Sequence, residues 1–225
     1  MKVSGQRQTR VGGPHSVYEQ IKQDIICCEL APGQWINDGE LAAKFAVSKT
    51  PIREALSKLE EDNLVQRVSR KGYQVTSVTL RDIQEIYETR LIIERGTALL
   101  AADRVTDDEI ARLQRLVDHM SSRLDGTDAI RELILANSAF HLGVARASRN
   151  DRLVALLQRV LNECQRSLEM ELLRHPHATI DWRDSHKRIL KALAGREREA
   201  LVQAIEEDNR VWLAHLLGAN PPLSG

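Results

Sequence analysis

Aromatic side chains are scarce, at 4% of 225 residues, and this excludes a stacking platform for single-stranded nucleic acid. Cysteine is scarcer. Cys27, Cys28 and Cys164 are odd in number and contain no CxxC pair. Neither a disulfide framework nor a zinc finger fits, and the setting reads as reducing and cytoplasmic. No run approaches the ~20 apolar residues that span a bilayer, so no membrane role is expected. The opening MKVSGQRQTRVGGPH lacks the apolar core of a signal peptide. An excess of one charge is absent too: 32 Lys+Arg stand against 32 Asp+Glu. That excludes a polybasic chain but leaves room for a local basic patch.

What is present favours helix. Leu, Ala, Glu and Arg dominate, and 42% hydrophobic content suffices for a core in one large or two small domains. Residues 1–13 are polar and read as a disordered tail. A helix is expected over 16–30, with Val17, Ile21 and Ile25 on one face and Pro32-Gly33 as the stop. A short second helix follows over 39–46. Val47-Ser48 makes a tight turn. Ser48 then takes the N-cap position of a third helix, and Pro51 falls in the first turn, where a missing N–H costs little. Ile52, Ala55, Leu56 and Leu59 form the buried face of that helix. After Asn63 the period changes. Residues 65–68 and 73–76 read as two short strands around a Ser69-Arg70-Lys71-Gly72 tip. This order is a winged helix-turn-helix with a small β-hairpin wing, over residues 14–76.

From Thr79 onward only helices are expected, near 79–102, 106–124, 128–147, 151–174, 181–194 and 197–217. Thr79…Asp82 and Thr106…Glu109 are capping-box-like starts, while Arg149-Asn150, Pro176 and Gly195 mark breaks. The fold class is thus mainly α, with an all-α bundle of about six helices over 77–218 and a short tail over 219–225.

Residues 1–76 carry 11 basic and 9 acidic side chains, an excess too weak to indicate DNA binding. The local arrangement says more. A helix fits the major groove, and the second helix of a helix-turn-helix enters it by its N-terminal end. Ser48, Lys49, Thr50 and Arg53 occupy that end, with Lys49 and Arg53 pointing the same way at i, i+4. Arg can bond guanine bidentately, and Ser and Thr can reach phosphate or a base. At the wing tip, Arg70, Lys71 and Gly72 are placed to reach a neighbouring groove.

The run Leu41-Ala42-Ala43-Lys44-Phe45-Ala46-Val47-Ser48-Lys49-Thr50-Pro51-Ile52-Arg53-Glu54-Ala55-Leu56, with Leu59-Glu60 and Arg70-Lys71-Gly72-Tyr73, resembles the GntR family of bacterial transcription regulators. The helical remainder resembles the FadR-type ligand-binding domain called FCD. Its marks are Arg90-Leu91-Ile92-Ile93-Glu94, Asn137-Ser138-Ala139-Phe140-His141 and His186-Lys187-Arg188-Ile189-Leu190. Two departures are visible. Ala46 stands where the family usually has Gly in the turn. Asn63 stands where a Gly usually follows the third helix, and Asn tolerates a left-handed conformation better than most residues.

Four apolar stripes of the bundle each carry polar side chains. Asn137 and His141 share one with Leu133, Phe140 and Val144; His186 lies with Trp182, Ile189 and Leu190. Asp208 falls among Leu201, Ile205, Val211 and Trp212, and Arg90 among Ile83, Ile86 and Ile93. A lone His on such a stripe is as a rule a hydrogen-bonded core residue, but a buried carboxylate needs a partner or a metal. The resemblance implies a divalent metal held by an Asp four residues before a His, plus two later His. By position, this chain has Asn137 for the Asp, keeps His141 and His186, and has Asp208 for the last His. Two imidazoles, a carboxylate and an amide oxygen suit zinc, nickel, iron or manganese. His215 is a spare candidate two turns beyond Asp208.

The expected function is a ligand-responsive regulator, not an enzyme. It would be a homodimer on double-stranded operator DNA, because a two-fold protein reads a two-fold site. The resemblance implies a small organic acid or sugar acid as effector, held by Arg90, Asn137, His141, Trp182, His186 and Asp208, and a repressor released by it. Two other readings compete: a metalloenzyme with a DNA-binding appendage, for which no general base or nucleophile is evident, and a constitutive DNA binder with a structural bundle.

Overall fold

The computed structural model describes residues 14–120, 127–174 and 182–218. The tails expected over 1–13 and 219–225, and the break at Pro176, lie outside the described residues. The chain is mainly helical and divides into two compact units between Ser77 and Val78.

In the first unit the order is α1 (Pro14–Ile26), β1 (Trp35–Ile36), α2 (Asp38–Phe45), α3 (Lys49–Glu61), β2 (Val65–Val68) and β3 (Gly72–Val75). Val17, Ile21 and Ile25 of α1 are fully buried in one cluster with Ile52, Leu56 and Leu59 of α3. Each such side chain contributes about 1.5–3 kcal/mol by leaving water. The sheet is three-stranded and antiparallel in the order β1-β3-β2, with Val65 opposite Val75 and Trp35 opposite Gln74. It closes the core with Val65 and Val75, both buried.

Three local details differ from expectation. Helix α1 ends at Ile26, not Leu30, because Cys28 turns left-handed at φ 56° and the Leu30 N–H donates back to the Asp24 carbonyl at 2.8 Å. The wing gains β1, a two-residue edge strand. Ser48 sits at the N-cap of α3, but its hydroxyl makes no capping bond. By contrast Asn37 caps α2 with its Oδ1, accepting from the Gly39 and Glu40 N–H groups. Ala46 terminates α2 at φ 55°, ψ 42°. That left-handed turn costs a residue with a Cβ about 1–2 kcal/mol. Asn63 is left-handed as well, at φ 58°.

The second unit holds α4 (Leu80–Arg104), α5 (Asp107–Met120), α6 (Thr127–Ala147), α7 (Asp151–Arg174), α8 (Arg183–Ala194) and α9 (Arg198–Leu216). Thr79 and Asp82 form a reciprocal capping box at the start of α4. Thr106 and Glu109 exchange the same pair of bonds before α5. Gly143 of α6 lets α5 come close: a Cβ there would meet Leu113 Cδ2 at 2.6 Å. Asn209 of α9 donates to the Tyr87 carbonyl of α4 at 3.1 Å, tying those two helices at buried positions.

Arg149, left-handed at φ 55° between α6 and α7, reaches Glu109 of α5 with an Nη2–Oε2 distance of 2.9 Å. The Arg149 hydrogen bond holds the Glu109 carboxyl down to about 2. A depressed carboxyl stabilises the fold above its ordinary range and loses that contribution as pH falls through its folded value. Arg149 is 46% exposed, so solvent screening keeps the pair's contribution small. Arg149→Ala is therefore expected to lower the melting temperature by about 2–4 °C at pH 7. The difference should shrink markedly by pH 2. Melts followed by circular dichroism at the two pH values check this, and an unchanged difference contradicts it.

Candidate functional site

The first candidate is the exposed face of α3 with the wing. Ser48, Lys49, Thr50, Arg53, Arg70, Lys71 and Gly72 are all exposed. Arg53, Arg70, Lys71 and Gly72 line one groove of about 760 Å³, together with Trp35, Asp38 and Arg67. Ser48, Lys49 and Thr50 sit at the N-terminal end of α3, outside that lining. Asp38 organises the basic side chains. Its Oδ2 accepts from Arg53 Nε at 2.9 Å, and its Oδ1 lies 3.6 Å from Lys49 Nζ. The Arg53 hydrogen bond holds the Asp38 carboxyl below its ordinary value. Lys71 Nζ lies 5.6 Å from the centre of the Trp35 ring, a cation–π contact. The tip needs left-handed backbone at Arg70 (φ 62°) and Gly72 (φ 96°), the second being glycine's territory.

The second candidate is buried. Arg90 and Glu94 come from α4, Asn137 and His141 from α6, His186 from α8 and Asp208 from α9; none is more than 4% exposed. Arg90 Nε donates to Glu94 Oε2 at 3.0 Å. Its Nη2 donates to Asp208 Oδ2 at 3.2 Å. The same nitrogen lies 2.8 Å from His141 Nε2 and 3.2 Å from Nδ1, so it sits against the ring rather than in line with one lone pair. His141 Nδ1 is 2.8 Å from Glu94 Oε1. A carboxylate only accepts, so Nδ1 carries the proton. In the neutral ring that leaves Nε2 bare, 3.2 Å from His186 Nε2 and 3.5 Å from Asp208 Oδ2. The other Asp208 oxygen accepts from the Ser185 hydroxyl at 2.7 Å.

Burial would raise both carboxyls. Arg90 and His141 outweigh it at Glu94, and His141 and Arg90 at Asp208, so both stay below their ordinary range. Burial, with His141 close by, lowers His186 to about 3, leaving it neutral. Burial also pushes the nearby Cys164 thiol up to about 12, which keeps it inert.

One donor atom each from His141, His186 and Asp208 lies within 4.8 Å of the others, the group of this kind among the described residues that could hold a metal ion. Asn137 Oδ1, one turn before His141, is buried and has no hydrogen-bond partner. A buried acceptor left in that state costs about 1–3 kcal/mol. Two imidazoles and a carboxylate, with an amide oxygen in want of a positive partner, fit a divalent first-row cation. Glu94 on His141 Nδ1 is the outer-shell carboxylate such a ligand uses to fix its tautomer.

Of the residues singled out in the sequence, Arg90, His141, His186 and Asp208 are thus brought together. Trp182 packs on Trp212 at 5.0 Å in the adjoining apolar cluster, and its carbonyl accepts from the Ser185 hydroxyl and the His186 N–H, both at 3.0 Å. His215 lies edge-on to Trp212 and outside the donor group. Val211, placed on the Asp208 stripe, is 38% exposed. Sequence reasoning passed over the double role of Glu94, which in sequence is only the i+4 partner of Arg90. It also missed Ser185, Asp38 and Trp35. For Asp38 a signal was available: an acid at the start of a helix that precedes two cations.

Comparison with known proteins gives the family of each unit. Residues 15–75 match the model of the bacterial regulatory proteins of the gntR family, and residues 85–210 that of the FCD domain. The HTH-type transcriptional regulator YdhC of Bacillus subtilis (strain 168) is 30% identical over 84% of this chain and 84% of its own length. The HTH-type transcriptional repressor GlaR of Escherichia coli (strain K12) is 26% identical over 80% of this chain and 84% of its own. Among solved structures, E. coli McbR/YncC superposes with a TM-score of 0.76 at 22% identity, covering 92% of this chain and 97% of that one, which speaks to the fold.

Proposed function

The chain belongs to the gntR family of bacterial regulatory proteins and carries an FCD domain, and from that membership we propose a cytoplasmic, homodimeric repressor. It reads double-stranded operator DNA with α3 and the wing, and releases it when a small organic acid or sugar acid enters the buried site. The family and the relatives are transcription regulators rather than enzymes. GlaR is named a repressor, which supports that sense of control. No helix among the described residues is long and apolar enough to cross a membrane.

The observation that carries the effector reading is the convergence of a guanidinium, two carboxylates and two imidazoles from four helices, none more than 3% exposed. Such a cluster stabilises a core less well than apolar packing of the same volume, so its chemistry points to ligand handling. Arg90 is the group for a carboxylate, because its planar fork matches two oxygens. Asn137, His141, His186 and Asp208 are the groups for zinc, nickel, iron or manganese, and Trp182 supplies an apolar wall. A bound divalent ion would add a Lewis-acidic point of attachment for the same carboxylate.

The test is a melting-temperature screen of hydroxy acids and sugar acids on purified protein, with elemental analysis. An acid at a hundred times its Kd stabilises by about 2.7 kcal/mol, or roughly 5–10 °C at this size. His141→Ala should remove the rise and lower metal content, and Asn137→Asp should tighten metal by adding a charged oxygen. No rise with any acid, and flat metal content across the variants, would leave the bundle without a sensing role.

A further inference from the structure

We propose that the Arg90 guanidinium and a divalent cation take turns on the same buried donors, so that metal loading swings Arg90 off Asp208 and His141. The proposal rests on reading His141, His186 and Asp208 as a cation site. Asp208 has two oxygens. Oδ1 is taken by the Ser185 hydroxyl at 2.7 Å, and Oδ2 faces both Arg90 Nη2 at 3.2 Å and His141 Nε2 at 3.5 Å. A metal bound to Asp208 on the side of His141 needs Oδ2, the oxygen Arg90 holds.

Charge sharpens the conflict. With the imidazoles neutral, the state in which they ligate a metal, Arg90, Glu94 and Asp208 sum to one negative charge, and the guanidinium is then the cluster's one cation. A metal at the usual ~2.0–2.1 Å from His141 Nε2 would lie within about 5 Å of Nη2, which is itself 2.8 Å from that nitrogen. Two cations that close, in a site no more than 3% exposed, repel strongly. The stem has fixed points to turn about. Its Nε remains on Glu94 at 3.0 Å, and its central carbon lies 5.7 Å from the Tyr87 ring. Displacement is therefore a swing of the outer nitrogens about an anchored stem. It turns the Nη2 donors from Asp208 and His141 toward any carboxylate that follows.

The experiment compares Zn²⁺ affinity of the full-length wild type and Arg90→Met by competition with a chromophoric chelator, with His186→Ala in each background to isolate this site. If Arg90 holds the donors ~90–99% of the time, apparent metal affinity is about 10- to 100-fold below that of the bare donors. Arg90→Met is expected to bind Zn²⁺ tighter by that factor. Because Arg90→Met leaves Glu94 and Asp208 without their cation, it can fail to fold. The wild type therefore carries a second readout. In protein labelled with [¹⁵N]arginine, the buried Arg90 Nε–H gives an exchange-protected signal that should shift with one equivalent of Zn²⁺. Equal His186-dependent affinities, or with an unfolded variant an Arg90 signal unmoved by saturating Zn²⁺, overturn the exchange and leave the cation site standing. No His186-dependent Zn²⁺ binding in any folded protein overturns the cation site, and the exchange with it.

Discussion

Arg53→Ala is expected to abolish specific operator binding while leaving the fold intact. Arg53 is 65% exposed at its side chain, and its partner is Asp38 of α2. The opposite face of α3, Ile52, Ala55, Leu56 and Leu59, is at most 1% exposed and carries the packing. Truncating Arg53 thus removes little from the core. Removing one hydrogen bond to a base or phosphate in a half-site costs about 1–3 kcal/mol. A two-fold dimer bears that cost twice, or roughly 2–6 kcal/mol, a drop of about 30-fold to more than 10⁴-fold in affinity. Asp38→Asn supplies the contrasting arm. It keeps both cations on α3 but frees Arg53 and Lys49 from their shared carboxylate. Non-specific affinity should rise, and discrimination between operator and random DNA should fall. Operator duplex for these titrations comes from selection on a random DNA pool, and salt is held constant because phosphate contacts make affinity steeply salt-dependent. Near wild-type operator affinity in a folded Arg53→Ala protein contradicts the assignment of α3 as the reading helix.

Much of the fold is legible in the sequence because local and tertiary signals agree. The apolar spacing Ile52, Ala55, Leu56, Leu59 is both the helix signature of α3 and its buried face. Thr79 with Asp82, and Thr106 with Glu109, announce α4 and α5 through bonds the structure then makes. The failures occur where signals are short or non-local. Trp35-Ile36 is too brief for a period of two to show, and its pairing with Tyr73 and Gln74 lies nearly forty residues away. The end of α1 depends on a left-handed Cys28 that the residue type does not advertise. The buried site was legible as polar residues on apolar stripes, and Arg90, His141, His186 and Asp208 emerge from that pattern. Glu94 did not. An Arg–Glu pair at i, i+4 normally marks a solvated helix surface worth a few tenths of a kcal/mol. Here the same spacing is 2% and 3% exposed and fixes a histidine on another helix, which only the packing of α4 against α6 decides.

In the proposed function the buried site controls the DNA head. Chain connectivity favours it: only Thr76–Thr79 separate β3 from α4, and α4 carries both Arg90 and Glu94. A ligand that draws α4, α6, α8 and α9 together therefore acts on the helix that follows the wing in the chain. Coupling of about 1–3 kcal/mol changes operator affinity roughly 5- to 150-fold, and by linkage operator DNA changes ligand affinity by the same factor. The most direct measurement is to take the acid that gives the largest rise in melting temperature and titrate it calorimetrically into the protein, free and saturated with operator duplex. Weaker binding of the acid in the presence of DNA, by at least fivefold, is the predicted result. Equal affinity in the two titrations would contradict control of the DNA head by the bundle, even with both sites intact.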